Sequence, residues 1–521
     1  MGSLQQLRSG SRRSLATVAW AVAALVSAST TGCSFVLDSS VKQCTQASDC
    51  DKFGSHPACQ DGVCVASGLG PPDCVLGVPK TQSDFLNACT TSKYAPFDNC
   101  DRLKLCDPNT QLPPITGPMV GKTGATAPPP APTNLCVDGA PGGPAAPKMI
   151  WLYGSSDFGP LLRAAQPSLT AATTPYRAVF QGATSCQGVT AMFDSTKRLM
   201  KDPAAENIGG WAFYFDAAGN QVNCRIDPLN MSVGVPVDIG ISNLYPQTCG
   251  FTPSSAVTEY TGPVVPFVFA VKAASSEQSI SVEAAHLVFG NGGMPPASAM
   301  MKNVAPWTDY TKYFIRNNNA GSTVLTALLI GVDQNKFWGI DRVSTDNLRD
   351  GLLASSDAES AIGILSIDFY DKNRGNLKAL YLKAKNQSHG YQPDSTPTTI
   401  DKANVRDGHY PLWGYVHFVA QLNALGSLSD AANAMVLLFN VPRIEQRLVD
   451  EIISASLTPQ CAMKVARNAE IGDFSVRKEF SCGCYFDFKT KGKSDCKTCM
   501  TAEDCTGQSP CNYGFCEAGG S

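Results

Sequence analysis

Basic runs are missing from this sequence beyond its first few residues, and Lys plus Arg total 41 against 44 Asp plus Glu. A nucleic-acid partner is therefore not expected, because such a surface needs clustered positive charge. Histidine is scarce, at five residues, and none accompanies a nucleophile signature; His286 and His417 read as packing residues, His389 and His409 as loop residues. Trp307, Trp338 and Trp413 read as core before cleft. After the N-terminus no stretch is apolar enough to span a bilayer. Two sought motifs also fail. Gly117-Pro118-Met119-Val120-Gly121-Lys122-Thr123 has three residues where a phosphate-binding loop needs four between its glycines, and no strand precedes it. Residues 154–159 read G-S-S-D-F-G, which is not the G-x-S-x-G elbow of a hydrolase. The expectation is a chain that performs no chemistry and carries neither cofactor nor metal.

Cysteine, by contrast, is plentiful. The chain of 521 residues holds 21, and it is long enough for two or three domains. Arg8, Arg12 and Arg13 precede an apolar stretch over residues 15–26, the layout of a secretory signal. Thr30-Thr31-Gly32-Cys33 is similar to a lipobox, and setting Cys33 aside for lipidation leaves an even 20 for pairing in an oxidising compartment. That predicts a lipid-anchored protein of the cell envelope, in the periplasm or on the outer membrane surface. Ordinary cleavage after Ala28 is the alternative and predicts a secreted one.

Two cysteine patterns bracket the chain. Cys44, Cys50, Cys59 and Cys64 follow C-x5-C-x8-C-x4-C, and Cys499, Cys505, Cys511 and Cys516 follow C-x5-C-x5-C-x4-C. Each has Asp before the second Cys and Gly two places before the last, so they read as two copies of one disulfide knot, too poor in apolar residues to fold unaided. Zinc is the alternative, encouraged by Cys482-Gly483-Cys484 and Cys496-Lys497-Thr498-Cys499; export favours disulfides. Cys74, Cys89, Cys100, Cys106 and Cys136 form an odd set, as do Cys186, Cys224 and Cys249, so a staple between the two sets is expected. Residues 112–147, rich in Pro, Gly, Ala and Thr, read as an extended linker.

The informative stretch is 149–194. An apolar run at 149–153 reads as a buried strand, Gly154, Ser155, Ser156 and Asp157 punctuate it, and a short helix follows. A second strand at 176–180 runs into Gln181-Gly182-Ala183-Thr184-Ser185, then an apolar helix beginning near Gly188. A third unit places the strand 313–316 before Asn317, Asn318, Asn319, Ala320, Gly321, Ser322 and Thr323, opening the helix 324–329. Helix starts leave backbone N–H groups unpaired at the positive end of the dipole, so converging starts with hydroxyls form an anion cradle. Arg316, at the end of the third strand, adds a fixed fork of donors suited to an oxyanion. Any one such turn alone is better explained as an ordinary capping turn.

From about 149 to 440 the chain resembles the phosphate-binding component of ABC transporters, a periplasmic solute-binding protein. The resemblance rests on Gly154-Ser155-Ser156-Asp157-Phe158, on residues 180–189, on Asp238-Ile239-Gly240-Ile241-Ser242-Asn243, on the strand 264–268, and on an Arg-x-x-x-Ser-Gly-Thr-like loop from Arg316 to Ser322. Residues 361–366, 377–380 and 410–412 follow in the family's order. The resemblance implies a bilobed α/β fold with crossover hinge strands and an anion held by Ser156, Ser185, Asn243, Arg316, Gly321 and Ser322. Two positions depart from the pattern. Asn243 stands where the family has an Asp that accepts a ligand proton, and Ala320 stands where the family has Ser, removing a donor.

Together with the resemblance, the sequence predicts a signal segment at 1–33, a Cys-rich knot at 34–70, a Cys-containing segment and linker at 71–147, a bilobed body at 148–460 and a Cys-rich module at 461–521. Lobe 1 is expected over about 148–250 and 345–460, lobe 2 over about 255–340, with hinges near 250–265 and 335–345. Capture of a small phosphate-like oxyanion for an ABC permease or sensor is the expected function. A cell-surface scaffold with a vestigial site is the alternative from another class; a hydrolase using Ser156 or Ser185 is a third and lacks a placed His.

Overall fold

The computed structural model describes residues 49, 58–60, 63–65, 70, 71, 74, 75, 78–117, 130–138, 148–203, 210–226, 234–477, 481–505 and 509–517. The signal segment, Cys33, Cys44 and Cys50 lie outside the described residues. The chain divides into two compact units, Met1–Ser67 and Gly68–Ser521. In the first, strands Ala58–Gln60 and Val63–Val65 pair as an antiparallel hairpin with Cys59 opposite Cys64.

The second unit is mixed α/β and is built on one 11-stranded sheet. Strand β1 (Lys148–Ser155) leads through a 3-10 turn, Ser156–Phe158, into α1 (Gly159–Ala171). Strand β2 (Tyr176–Ala183) leads into α2 (Ser185–Phe193). Strand β3 (Ile239–Ser242) and β2 flank β1 in parallel, and the hairpin Ala212–Phe215 with Gln221–Cys224 closes that edge. Both faces are covered by helices, so these strands read as near-continuous apolar runs. The α2 start is fixed by a capping box in which Thr184 accepts the Gln187 N–H and the Gln187 side chain returns to the Thr184 N–H. The helix therefore opens at Ser185, three residues before the expected Gly188.

The two lobes are joined by β4 (Val257–Lys272) and β8 (Trp413–Gln421). β4 pairs with β8 from Val257 to Pro266, and its far end, Phe267 to Ala270, pairs with β7 (Ile362–Ser366) in the other lobe. Beyond β7 lie β5 (Tyr313–Ile315) and β6 (Ile340–Asp341), while α3 (Gly321–Ile330) and α4 (Thr345–Ala354) pack alongside. This moves the expected lobe boundaries. α4 and β7 belong with β5 in the second lobe, and the chain returns to the first only at Trp413, not at 345. β4 overlaps the expected first hinge, whereas the second crossing is β8 and not 335–345. The cause is the parallel pairing of β7 with β5, a contact between Tyr313 and Ile362 that no local pattern encodes.

The N-terminal segment is not only linker. Tyr94–Ala95 adds a strand to a small four-stranded sheet of the second lobe, and Phe97 and Leu103 enter the core. Cys136–Cys224 is the expected staple between the two odd cysteine sets. By chain entropy a loop of that size is worth about 4–5 kcal/mol. The remaining bonds among described residues are Cys74–Cys89, Cys100–Cys106, Cys186–Cys249, Cys461–Cys482, Cys484–Cys496, Cys499–Cys511 and Cys505–Cys516. The sulfurs weighed for zinc in the C-terminal module are thus all held in disulfides.

The chain leading into and through that module braces the crossing strands. Thr458 exchanges backbone hydrogen bonds with Val264, and Gln460 Nε2 donates to the Thr261 and Gly262 carbonyls at the irregularity in β4. Arg467 stacks over Trp413, 3.8 Å from the ring centroid, at the start of β8. Trp307 and Trp413 are fully buried core residues. Among the described residues no helix is long and apolar enough to cross a membrane.

Candidate oxyanion site

The carboxyl ends of β1 and β2 and the start of α3 meet at one cavity of about 10 Å³. Ser156, Ser185, Arg316, Gly321 and Ser322 all line it. Five of the six residues expected from the sequence are therefore brought together. Asn243, 1% exposed, stands behind the lining and donates from Nδ2 to Ser155 Oγ at 3.0 Å and to Asp157 Oδ2 at 2.9 Å.

Each side chain is positioned by its local turn. Gly154, next to last in β1, has φ of +141°, and an added Cβ would fall 1.9 Å from the Ile241 carbonyl oxygen, so only glycine fits against β3 there. Ser156 is exposed at the rim, where the 3-10 turn begins. Ser185 is fully buried at the start of α2, and its Oγ accepts the Asn243 N–H at 3.1 Å. Its hydroxyl thus also ties β3 to α2. At α3 the residue before the helix is Ala320, which supplies no side-chain cap. The first N–H groups of α3 are left to whatever occupies the cavity.

Arg316 is 6% exposed. Its Nη1 donates to Thr345 Oγ1 at 2.6 Å, its backbone carbonyl accepts from Thr323 Oγ1 at 2.9 Å, and its buried Nε has no partner among the described residues. Burial lowers its pKa, opposed by the charges of Asp157, Asp341 and Asp346. A buried guanidinium with an unmet donor is a strong local demand for an anion.

Sequence reasoning missed the acids. Asp157 lines the cavity, and burial raises its pKa against the opposing pull of Arg316, Asn243 and Ser366. Ser366, at the end of β7, reaches Asp368 Oδ1 at 2.7 Å and Asp157 Oδ1 at 3.5 Å. Burial, and then the Asp157 charge, push the Asp368 carboxyl up to about 7. A search for amides and hydroxyls passes over Asp157, although an acid at a helix start is itself a signal of a dipole end in use.

The lobes touch across the cavity. The Cys186 N–H donates to the Asn319 carbonyl at 3.3 Å, and a Cβ on Gly321 would lie 2.7 Å from Ser185 Oγ and 2.9 Å from Asn243 Cβ. The space between holds about one water-sized guest. A tetrahedral oxyanion would need more room than this. No histidine lines the cavity; His286, His409 and His417 contact the Ile330 carbonyl, the Ala88 carbonyl and the Glu259 carboxyl.

No family model and no curated protein matches the chain. Solved structures similar to it include an ABC-type phosphate transport receptor from Vibrio cholerae, at 10% identity and a TM-score of 0.38 over 60% of this chain and 100% of that one. PstS from Borrelia burgdorferi is similar at 11% identity and 0.32, over 60% and 98%. A human phosphate binding apolipoprotein is similar at 14% identity and 0.38, over 60% and 90%.

Proposed function

We propose that this chain is an extracytoplasmic solute-binding protein that captures a small inorganic oxyanion, phosphate-like in shape and charge, between its two lobes. The observation that carries the reading is the Arg316 guanidinium, buried beside a cavity with its Nε unpartnered. The uncapped start of α3 and the hydroxyls of Ser156 and Ser322 supply neutral donors to the same space. Arg316 supplies charge, the helix starts supply amides, and no bond of the ligand is made or broken. The signal-like N-terminus and Cys33 support export and lipid anchoring, and an ABC permease or sensor is the partner such a receptor serves.

A second reading, a surface scaffold with a vestigial site, is favoured by one specific feature: the Asp157 carboxylate already contributes charge at Arg316. A thermal-shift screen with phosphate, arsenate and sulfate separates the two. Stabilisation by at least one oxyanion that disappears in Arg316→Ala is expected for a receptor. No stabilisation by any of them supports the scaffold, and stabilisation that persists in Arg316→Ala places binding elsewhere.

A further inference from the structure

Two carboxyls and one hydroxyl hydrogen meet beside Arg316. Ser366 Oγ lies 2.7 Å from Asp368 Oδ1 and 3.5 Å from Asp157 Oδ1. A hydroxyl has a single hydrogen to donate. Held by Asp368 at 2.7 Å, that hydrogen leaves the Asp157 oxygen 3.5 Å away with at most a weak contact from Ser366, so an ionised Asp157 is under-satisfied on that side. The other Asp157 oxygen is already fixed by Asn243 Nδ2 at 2.9 Å. Asp157, Ser366 and Arg316 all line the cavity, and Asp368, 2% exposed, lies behind Ser366.

The charges around the group are few. Arg316 acts on Asp157, and Asp157 acts on Asp368. The exposed Lys372 Nζ stands 3.8 Å from Asp368 Oδ2, and Asp341 and Asp346 act on Arg316 from β6 and α4. With both carboxyls ionised the buried group already holds two negative charges against one buried cation. An entering oxyanion adds at least one more in a medium where repulsion is weakly screened.

We propose that capture of an oxyanion at Arg316 is coupled to uptake of one proton by the Asp157–Ser366–Asp368 group, the protonated Asp157 carboxyl then donating to the ligand. This rests on the reading of the cavity as an oxyanion site. Protonation turns a repelling acceptor into a donor, so a fully ionised tetraoxyanion that brings no hydrogen of its own is admitted. The two carboxyls titrate as a pair. Burial raises both, and Asp368 reaches about 7, which sets the exchange near neutrality. The proton is held below that value and lost above it, so oxyanion affinity falls as pH rises.

The test is calorimetric titration of the full chain with inorganic sulfate, which does not itself titrate near neutrality, at about pH 5.5 and about pH 8.5 in buffers of different ionisation enthalpy. About one proton taken up per sulfate is expected at about pH 8.5 and almost none at about pH 5.5, where the group already holds it, with affinity falling about tenfold per pH unit above about 7. Asp157→Asn should bind sulfate with that slope flattened, and Asp368→Asn should move the slope to lower pH. Equal wild-type affinity at both pH values, or the full slope surviving in Asp157→Asn, overturns the coupling alone. Failure of wild type and Asp157→Asn to bind sulfate or phosphate at either pH overturns the oxyanion reading and the coupling with it.

Discussion

Asn243 donates from one amide nitrogen to both Ser155 Oγ and Asp157 Oδ2, at 3.0 and 2.9 Å, so the end of β3 is hydrogen-bonded to the end of β1 through a neutral group. A carboxylate at this position would face the Asp157 carboxylate directly. Asn243→Asp is therefore expected to lose about 2–3 kcal/mol of stability above neutral pH, from an unmade hydrogen bond and like-charge contact. The loss should shrink near pH 5, where the pair can share a proton. Denaturant unfolding of both proteins at the two pH values reads this out, and an equal loss at both would count against the close pairing.

Gly321 brings the lobes within contact. An alanine there sets its methyl 2.7 Å from Ser185 Oγ and 2.9 Å from Asn243 Cβ, both buried and hydrogen-bonded. Gly321→Ala should destabilise by about 1–3 kcal/mol, since the crowded atoms cannot rotate away cheaply. Oxyanion affinity should fall with it if α3 and α2 grip one ligand. A variant that unfolds normally and binds normally would show that the loop before α3 stands farther from α2 than described.

The raised Asp368 carboxyl makes stability depend on pH. Its folded value, about 7, lies above its ordinary 3.8. Between those values the folded chain binds more protons than the unfolded chain, so stability is present below about pH 4 and is lost as pH rises through about 7. The loss is at most about 1.4 kcal/mol per pH unit from this group. Asp368→Asn should flatten the ligand-free profile across that window. Unfolding free energies from about pH 5 to about pH 8 test it; a profile that rises identically in both proteins contradicts the buried protonated carboxyl.

Much of the site was legible because it is local. Gly154, Ser156, Ser185, Gly321 and Ser322 each sit where an apolar strand gives way to a helix, and periodicity with turn chemistry marks such places directly. Arg316 was legible for the same reason, as the charged end of a short apolar strand. The lobe boundary was not, because the residues 345–412 are assigned by the pairing of Ile362 with Tyr313 and of Leu377–Ala379 with β4. Nothing near those residues states which sheet edge they will join.

The acids escaped for a related reason. Asp157 reads as one more polar turn residue, and Ser366 and Asp368 reads as a strand end and helix start. Only folding sets β7 beside β1's turn and joins the three through one hydroxyl. Asn243 was expected to face the ligand, yet its amide is spent on Ser155 and Asp157, a choice fixed by where the 3-10 turn sits.

The most direct measurement of the central claim is a calorimetric titration of the full chain with inorganic phosphate at about pH 6, wild type beside Arg316→Ala. Saturable one-to-one binding by the wild type, weakened at least about a hundredfold in Arg316→Ala through loss of the charged hydrogen bonds, is the predicted result. Equal binding by both proteins, or none by the wild type, contradicts an oxyanion held at this guanidinium.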